Sequence, residues 1–265
     1  MMRKTMFKKA VFAVAAAISL GLTVSARAQD EPHFSKQDWS FYGVFGTFDR
    51  PSLQRGFQVY KDVCSACHSL RLLSYRDLGG GGAIDGGIGL STDEVKAIAA
   101  SVQVTDGPND QGDMFQRPGR PSDRFVSPFP NEQAARASNN GALPPDLSLI
   151  VEARPGGPDY VYGILTGFKD APAGFTVNQG MYYNETFAGH QIAMPPPLSD
   201  GAVTYADKTQ ATVPQMAHDV VTFLTWAANP ELESRHRIGV KVIIFLVILT
   251  GLLYAVKRKV WSDVH

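Results

Sequence analysis

The chain has 265 residues, 44% of them hydrophobic, with 25 Lys and Arg balanced by 25 Asp and Glu. This length leaves room for one sizeable domain, and the absence of any internal repeat or low-complexity tract excludes solenoid and fibrous architectures. The neutral total is unevenly spread. Five of the basic residues lie in 1–28, and four, with one Asp, lie in 238–265, which leaves 16 basic and 24 acidic residues in 29–237. That segment carries a net charge of −8, which disfavours nucleic acid and would steer a basic protein partner into encounter.

At the N-terminus, Arg3, Lys4, Lys8 and Lys9 precede an apolar run from Ala10 to Val24 and the triplet Ala26-Arg27-Ala28. This order of charge, apolar block and small-residue cleavage site predicts a secretory signal peptide over 1–28 and a mature chain from Gln29. A mitochondrial presequence would spread Arg and Ser along an amphipathic helix, so a bacterial export signal is the better reading. Residues 29–237 are then expected to form a periplasmic domain.

Leu53, Phe57, Tyr60 and Val63 recur at helical spacing and lead into Cys64-Ser65-Ala66-Cys67-His68, which holds both cysteines of the chain. C-x-x-C-H is the spacing at which two thiols bond covalently to haem vinyl groups while the adjacent imidazole reaches the iron. A thioredoxin-like redox pair would not need His68. A disulfide across two intervening residues would close a small strained ring. Covalent haem is the expectation.

Further along, the glycine run 79–82 and the segment 107–130 lack periodicity and read as surface excursions. Ser91 and Glu94 form a capping box ahead of Val95, Ile98, Ala99 and Val102. A short helix is expected after Pro144-Pro145-Asp146 and another near Asp159. Thr212, Pro214 and Gln215 give a second capping box opening a helix to about Ala228, with Met216, Val220, Phe223, Leu224 and Ala227 on its apolar face. Strand signals are few and no βαβ alternation is visible, so the fold class is mainly α with long ordered loops.

Ile238 to Val256 forms a run of 19 residues whose helical length, about 28 Å at 1.5 Å per residue, matches the roughly 30 Å hydrocarbon core. Lys241 is near its start and can snorkel, while Tyr254 and Trp261 mark the other interface. A C-terminal transmembrane helix over 238–256 and a cytoplasmic tail over 257–265 follow, with the exported N-terminus setting the orientation.

The second axial position decides what a haem held by His68 does. Methionine raises the potential, a second histidine lowers it, and an open site permits ligand binding. Met114 has no packing context, and Met216 lies on a helix stripe where a core role is the better account. Met194 precedes Pro195, Pro196 and Pro197, which fix three φ angles and could hold a loop rigidly. Met181 and His190 stay as rivals on this reading.

CSACH, NNGALPPDLS at 139–148, IAMPPP at 192–197, DVVTFLTWAANPE at 219–231 and the C-terminal span together resemble the cytochrome c1 family over nearly the whole mature chain. The resemblance implies a class I cytochrome c-like haem domain with long loop insertions and one covalent haem c. Cys64 and Cys67 would be the thioether residues, His68 the proximal ligand and Met194 the distal one. It further implies haem-pocket roles for Asn139, Ala142, Pro144, Pro145, Ile150, Arg154, Tyr160 and Phe187, with Arg154 facing a propionate as a fixed cationic fork.

The function so implied is that of the electron-transfer subunit of a quinol:cytochrome c reductase, beside cytochrome b and the Rieske iron-sulfur protein. It would pass single electrons to a cytochrome c and needs no general base or nucleophile. Some bacterial relatives carry an extra disulfide, which the two cysteines here cannot supply if both hold haem. Rival readings are a free-standing membrane-anchored cytochrome c, a peroxidase, whose dihaem form needs a second C-x-x-C-H, and a haem-free thiol oxidoreductase.

Overall fold

A computed structural model describes residues 34–80 and 87–263. The signal peptide and cleavage site expected over 1–28 lie outside the described residues, as do Gly81 and Gly82. Among the described residues are six α-helices: α1 (Arg50–Asp62), α2 (Thr92–Ala100), α3 (Glu132–Ser138), α4 (Gly157–Thr166), α5 (Val213–Ala228) and α6 (Leu232–Val260). Two short antiparallel ribbons accompany them, β1 (Gln103–Asp106) with β2 (Phe115–Pro118) and β3 (Tyr182–Tyr183) with β4 (Gln191–Ile192). The architecture is mainly helical with long loops, as the sparse strand signals implied.

Helix α1 starts where Asp49 accepts a hydrogen bond from the Ser52 N–H and Pro51 occupies the first turn. Its apolar face, Leu53, Phe57 and Tyr60, is buried against α5 and Phe125, with Phe57 and Tyr60 5.6 and 5.9 Å from the Phe223 ring. The helices approach closely because Gly56 has no side chain. A Cβ there would run into the Asp219 carbonyl and crowd Phe223. The loss of helix propensity, about 0.5–1 kcal/mol, is offset by the burial that the close crossing permits.

A polar knot closes this crossing. Asp219, with none of its surface exposed, accepts hydrogen bonds from Arg55 Nε at 2.8 Å and Nη2 at 3.0 Å. Ser52 Oγ and Gln215 Nε2 also donate to it, at 2.6 and 3.0 Å. Because a buried carboxylate is tolerable only when its lone pairs are met, the knot is an all-or-nothing unit. Asp219→Ala, which strands the donors of three side chains, is expected to cost roughly 3–5 kcal/mol, read as a fall in denaturant midpoint. The double variant Asp219→Leu, Arg55→Met should recover part of that loss.

Several sequence expectations are corrected. The second capping box is only half formed: Thr212 Oγ1 accepts from the Gln215 N–H, but the Gln215 amide turns to Asp219, where a buried charge is the stronger acceptor. No helix follows Pro144-Pro145-Asp146. Asp146 Oδ1 caps the Ser148 N–H and the chain makes successive turns to Ala153, as local side-chain bonds compete with helix formation. Ribbon β1–β2 arises partly inside the 107–130 excursion, where Arg117 bridges Asp106 and Asp123. Helix α3, capped by Asn131, was not anticipated. The Ser91–Glu94 capping box forms as read.

Helix α6 contains the whole run 238–256 and begins six residues before it, and its apolar residues face outward with none buried. A helix apolar and exposed over such a length is one able to span a membrane.

Candidate haem site

The last turn of α1 runs into a 3-10 turn at Cys64–Ala66, where the Cys67 and His68 N–H groups both donate to the Cys64 carbonyl, at 3.1 and 2.9 Å. The two thiols and the imidazole therefore emerge from a single compact turn, and neither thiol is in a disulfide. Burial pushes the Cys64 thiol up to about 12, with Cys67 contributing less. That is the reverse of the lowered thiol pKa by which C-x-x-C redox proteins act, and it disfavours the thiol-oxidoreductase reading.

His68 is fixed from the opposite strand of chain. Its Nδ1 lies 2.8 Å from the Pro145 carbonyl oxygen, which can only accept, so Nδ1 carries the proton and Nε2 keeps its lone pair. Burial lowers the imidazole pKa, against smaller opposing effects of the Pro145 hydrogen bond and Asp146, and so favours the neutral ligating form. Asp146 then locks residues 145–148 to 69–72. Its Oδ2 accepts from Ser69 Oγ at 2.7 Å and the Arg71 N–H at 3.0 Å, while Leu147 N–H donates to Ser69 O and Leu72 N–H to Ser148 Oγ. Tyr60 Oη donates to the His68 carbonyl from below.

Burial alone would raise the Asp146 pKa, but the Ser148, Arg71 and Ser69 donors outweigh it and hold the carboxyl below its ordinary value. A depressed folded pKa gives stability that is full above the unfolded value near 3.9 and is lost as pH falls through the folded one. The stability gap between wild type and Asp146→Asn should therefore be full at pH 7 and 5 and close below about pH 4, measured by denaturant unfolding at each pH.

The remaining expected positions fall into separate groups. Asn139 caps the end of α3, with Nδ2 on the Ala135 carbonyl, and receives the Ala142 N–H; Ala142 and Pro144 are half-buried on the way to Pro145. Ile150 is buried in the core. Arg154 is exposed, donates to the Ala153 carbonyl, and is close enough to Tyr160 on α4 to oppose the rise in its pKa that burial causes. Phe187 and Met194 belong to the loop around β3–β4, and both are half-buried. Met216 is fully buried on α5 and Met114 is exposed, as read from the sequence.

The β3–β4 hairpin, which Met194 follows by two residues, is positioned by Asn184. Fully buried, Asn184 donates Nδ2 to the Ile164 carbonyl on α4 and accepts through Oδ1 from the Thr186 and Phe187 N–H groups. Its own N–H bonds the His190 carbonyl. His190 is itself engaged in the hairpin, its ring stacked 5.8 Å from Tyr183 and edge-on to Phe175. This network, with α4 packed on α5 and α5 on α1, connects the hairpin that precedes Met194 to the C-x-x-C-H turn without a disulfide.

The donor set fits a haem. Two unpaired thiols at haem spacing, a neutral imidazole with a free Nε2 and neutral thioether candidates are soft or borderline donors suited to iron in a macrocycle. Among the described residues no three His, Cys, Asp or Glu side chains gather into a metal cage.

Fold and site thus define a c-type haem protein with a C-terminal apolar helix able to anchor it in a membrane. Residues 39–264 match the model of the Cytochrome C1 family. Similar proteins include cytochrome c1 of Rhodospirillum rubrum, 45% identical over 98% of both chains. The potato mitochondrial protein named cytochrome c1-2, heme protein, is 48% identical over 92% of each. The Bradyrhizobium diazoefficiens protein named cytochrome b/c1 is 50% identical over 95% of this chain, which spans 39% of that longer relative. The chain belongs to the cytochrome c1 family, whose members carry covalently bound haem c and transfer electrons in the cytochrome bc1 complex.

Proposed function

We propose that this protein is the haem subunit that takes single electrons from the Rieske iron-sulfur protein and gives them to a cytochrome c. The observation that carries the site assignment is the His68 Nδ1–Pro145 carbonyl bond, which leaves Nε2 free as proximal ligand beside Cys64 and Cys67. Cys64 and Cys67 hold the thioethers, and Met194 is the distal ligand. Asn139, Ala142, Pro144, Pro145, Ile150, Tyr160 and Phe187 line the pocket, and Arg154 serves a propionate. Bound haem supplies one-electron exchange at its iron. The protein's own residues orient that iron's ligands, exclude water and set the potential.

Partnership with cytochrome b is supported by the Bradyrhizobium relative, whose name joins b and c1 in one chain. The haem domain over 29–237 is placed in the periplasm and the tail over 257–265 in the cytoplasm, a reading supported by the export signal in the sequence. Solubilising the membranes in mild detergent and purifying the chain tests the assignment. Copurification of cytochrome b and a Rieske protein with quinol:cytochrome c reductase activity is expected. Isolation alone or with an oxidase would favour the free-standing carrier instead.

The excess of eight negative charges in 29–237 should speed encounter with a basic cytochrome c more than it strengthens the docked complex. The second-order rate of electron transfer from the prereduced domain should fall as salt shrinks the Debye length from about 30 Å at 0.01 M to about 10 Å at 0.1 M. Stopped-flow absorbance over that range measures it. A flat profile would mean that the acidic surface only solubilises.

A further inference from the structure

Residues 39–48 form a turn whose side chains divide sharply. Trp39, Phe41 and Phe48 are buried, Phe41 with its ring 5.3 Å from Phe48 and Trp39 donating to Asp159 at 2.7 Å. Tyr42, Val44 and Phe45 point out, 51%, 64% and 80% exposed. The Gly46 N–H closes the turn on the Gly43 carbonyl at 3.2 Å, with Val44 and Phe45 at its two central positions. Those positions ordinarily take Pro, Gly, Asn or Asp, so two large apolar side chains at a solvent-facing tip have no account in the fold of this domain.

The turn is pinned to the start of α6. The Gly46 carbonyl lies 3.0 Å from His236 Nδ1, the Phe48 N–H donates to Glu233 Oε1 at 2.7 Å, and Arg50 pairs with Glu233 Oε2 at 2.7 Å. His236 precedes the apolar run by two residues, about 3 Å of helix rise, and the Cα of Phe45 is about 3.8 Å from that of Gly46. The turn is therefore anchored two residues before the apolar run of α6, whose one charge, Lys241, lies near its start. Arg50 neutralises Glu233, so the tether sets no unpaired acid beside this boundary.

We propose that the Tyr42–Phe45 turn is a second membrane contact, its Val44 and Phe45 side chains seated in the lipid interface beside the entry of α6 and Tyr42 at headgroup level. This rests on reading α6 as a membrane span. Tyr favours that layer because its ring meets hydrocarbon and its hydroxyl meets water, while Phe and Val favour the apolar side of it. Lipid fits better than a protein partner because a specific protein interface needs on the order of 800 Å² per side, whereas an interfacial anchor needs only a few side chains. With two attachment points the domain cannot swing freely about α6, which would hold the haem turn at a constant height above the bilayer.

Photo-crosslinking of the full chain in its native membranes tests the proposal, with p-benzoylphenylalanine replacing Phe45 or, separately, Val44, and covalent haem verifying the fold of each variant. Mass spectrometry of the irradiated chain should find mainly lipid adducts at both positions. Adducts mainly to another polypeptide, or no lipid adduct, would overturn it. The same probe at Leu246, in mid-helix, should react with lipid or a membrane subunit. Failure there would overturn the span and the turn together, whereas success at Leu246 with failure at 44 and 45 overturns the turn alone.

Discussion

Chains carrying Cys64→Ala or Cys67→Ala are expected to accumulate little stable holoprotein, and the double variant none with haem that survives denaturation. Each thiol lies on the compact turn closed on the Cys64 carbonyl, so either loss leaves the cofactor tethered at one point beside His68. The haem is also part of the interior of such a domain. Removing its tether exposes apolar surface, and a destabilisation of only 1–2 kcal/mol is enough to change cellular abundance several-fold. Haem staining after denaturing electrophoresis gives the measurement. A wild-type chain that lost all its haem under denaturation would refute the covalent assignment.

Replacing Met194 with Leu should lower the midpoint potential on the order of a tenth of a volt or more, within the roughly 0.8 V range over which axial ligation acts, while the thioethers stay intact. The swap nearly conserves volume and should cost less than about 1.5 kcal/mol in packing, so the potential changes without loss of the fold. Met181→Leu should leave the potential where it is. His190→Gln should too, since that ring is held on Tyr183 and Phe175. Redox titration of the three variants separates the candidates, and a shift with Met181→Leu in place of Met194→Leu would reassign the ligand.

Asn184→Leu probes the loop from behind. It removes the acceptor of the Thr186 and Phe187 N–H groups and the donor to α4, each loss leaving a buried group unmet at about 1–3 kcal/mol. The methionine loop should loosen, seen as weakened distal ligation in the haem spectrum at unchanged haem content.

What could be read from the chain alone was whatever depends on neighbours in sequence. The C-x-x-C-H spacing specifies thioether chemistry because both thiols and the imidazole must come from one turn, here the 3-10 turn at Cys64–Ala66. Helix α5 and the start of α2 were legible because their caps and apolar periods are local. The outward-facing apolar helix, able to span a membrane, followed from nineteen successive residues without a polar stripe. Tertiary structure decided the rest, since it depends on groups far apart in the chain. Asp146 pairs with residues about 75 positions away, and that bond, with those of Ser148, turned an expected helix into successive turns. Gln215 left its capping role because Asp219, buried by the α1–α5 crossing, competes better for its amide. Asn184, with no motif around it, secures the β3–β4 hairpin to α4, and nothing in its neighbours hints at a carbonyl 20 residues back. A local pattern determines which chemistry a segment can support. Burial decides which polar groups must find one another, because only away from water does an unmet hydrogen bond cost enough to override local preference.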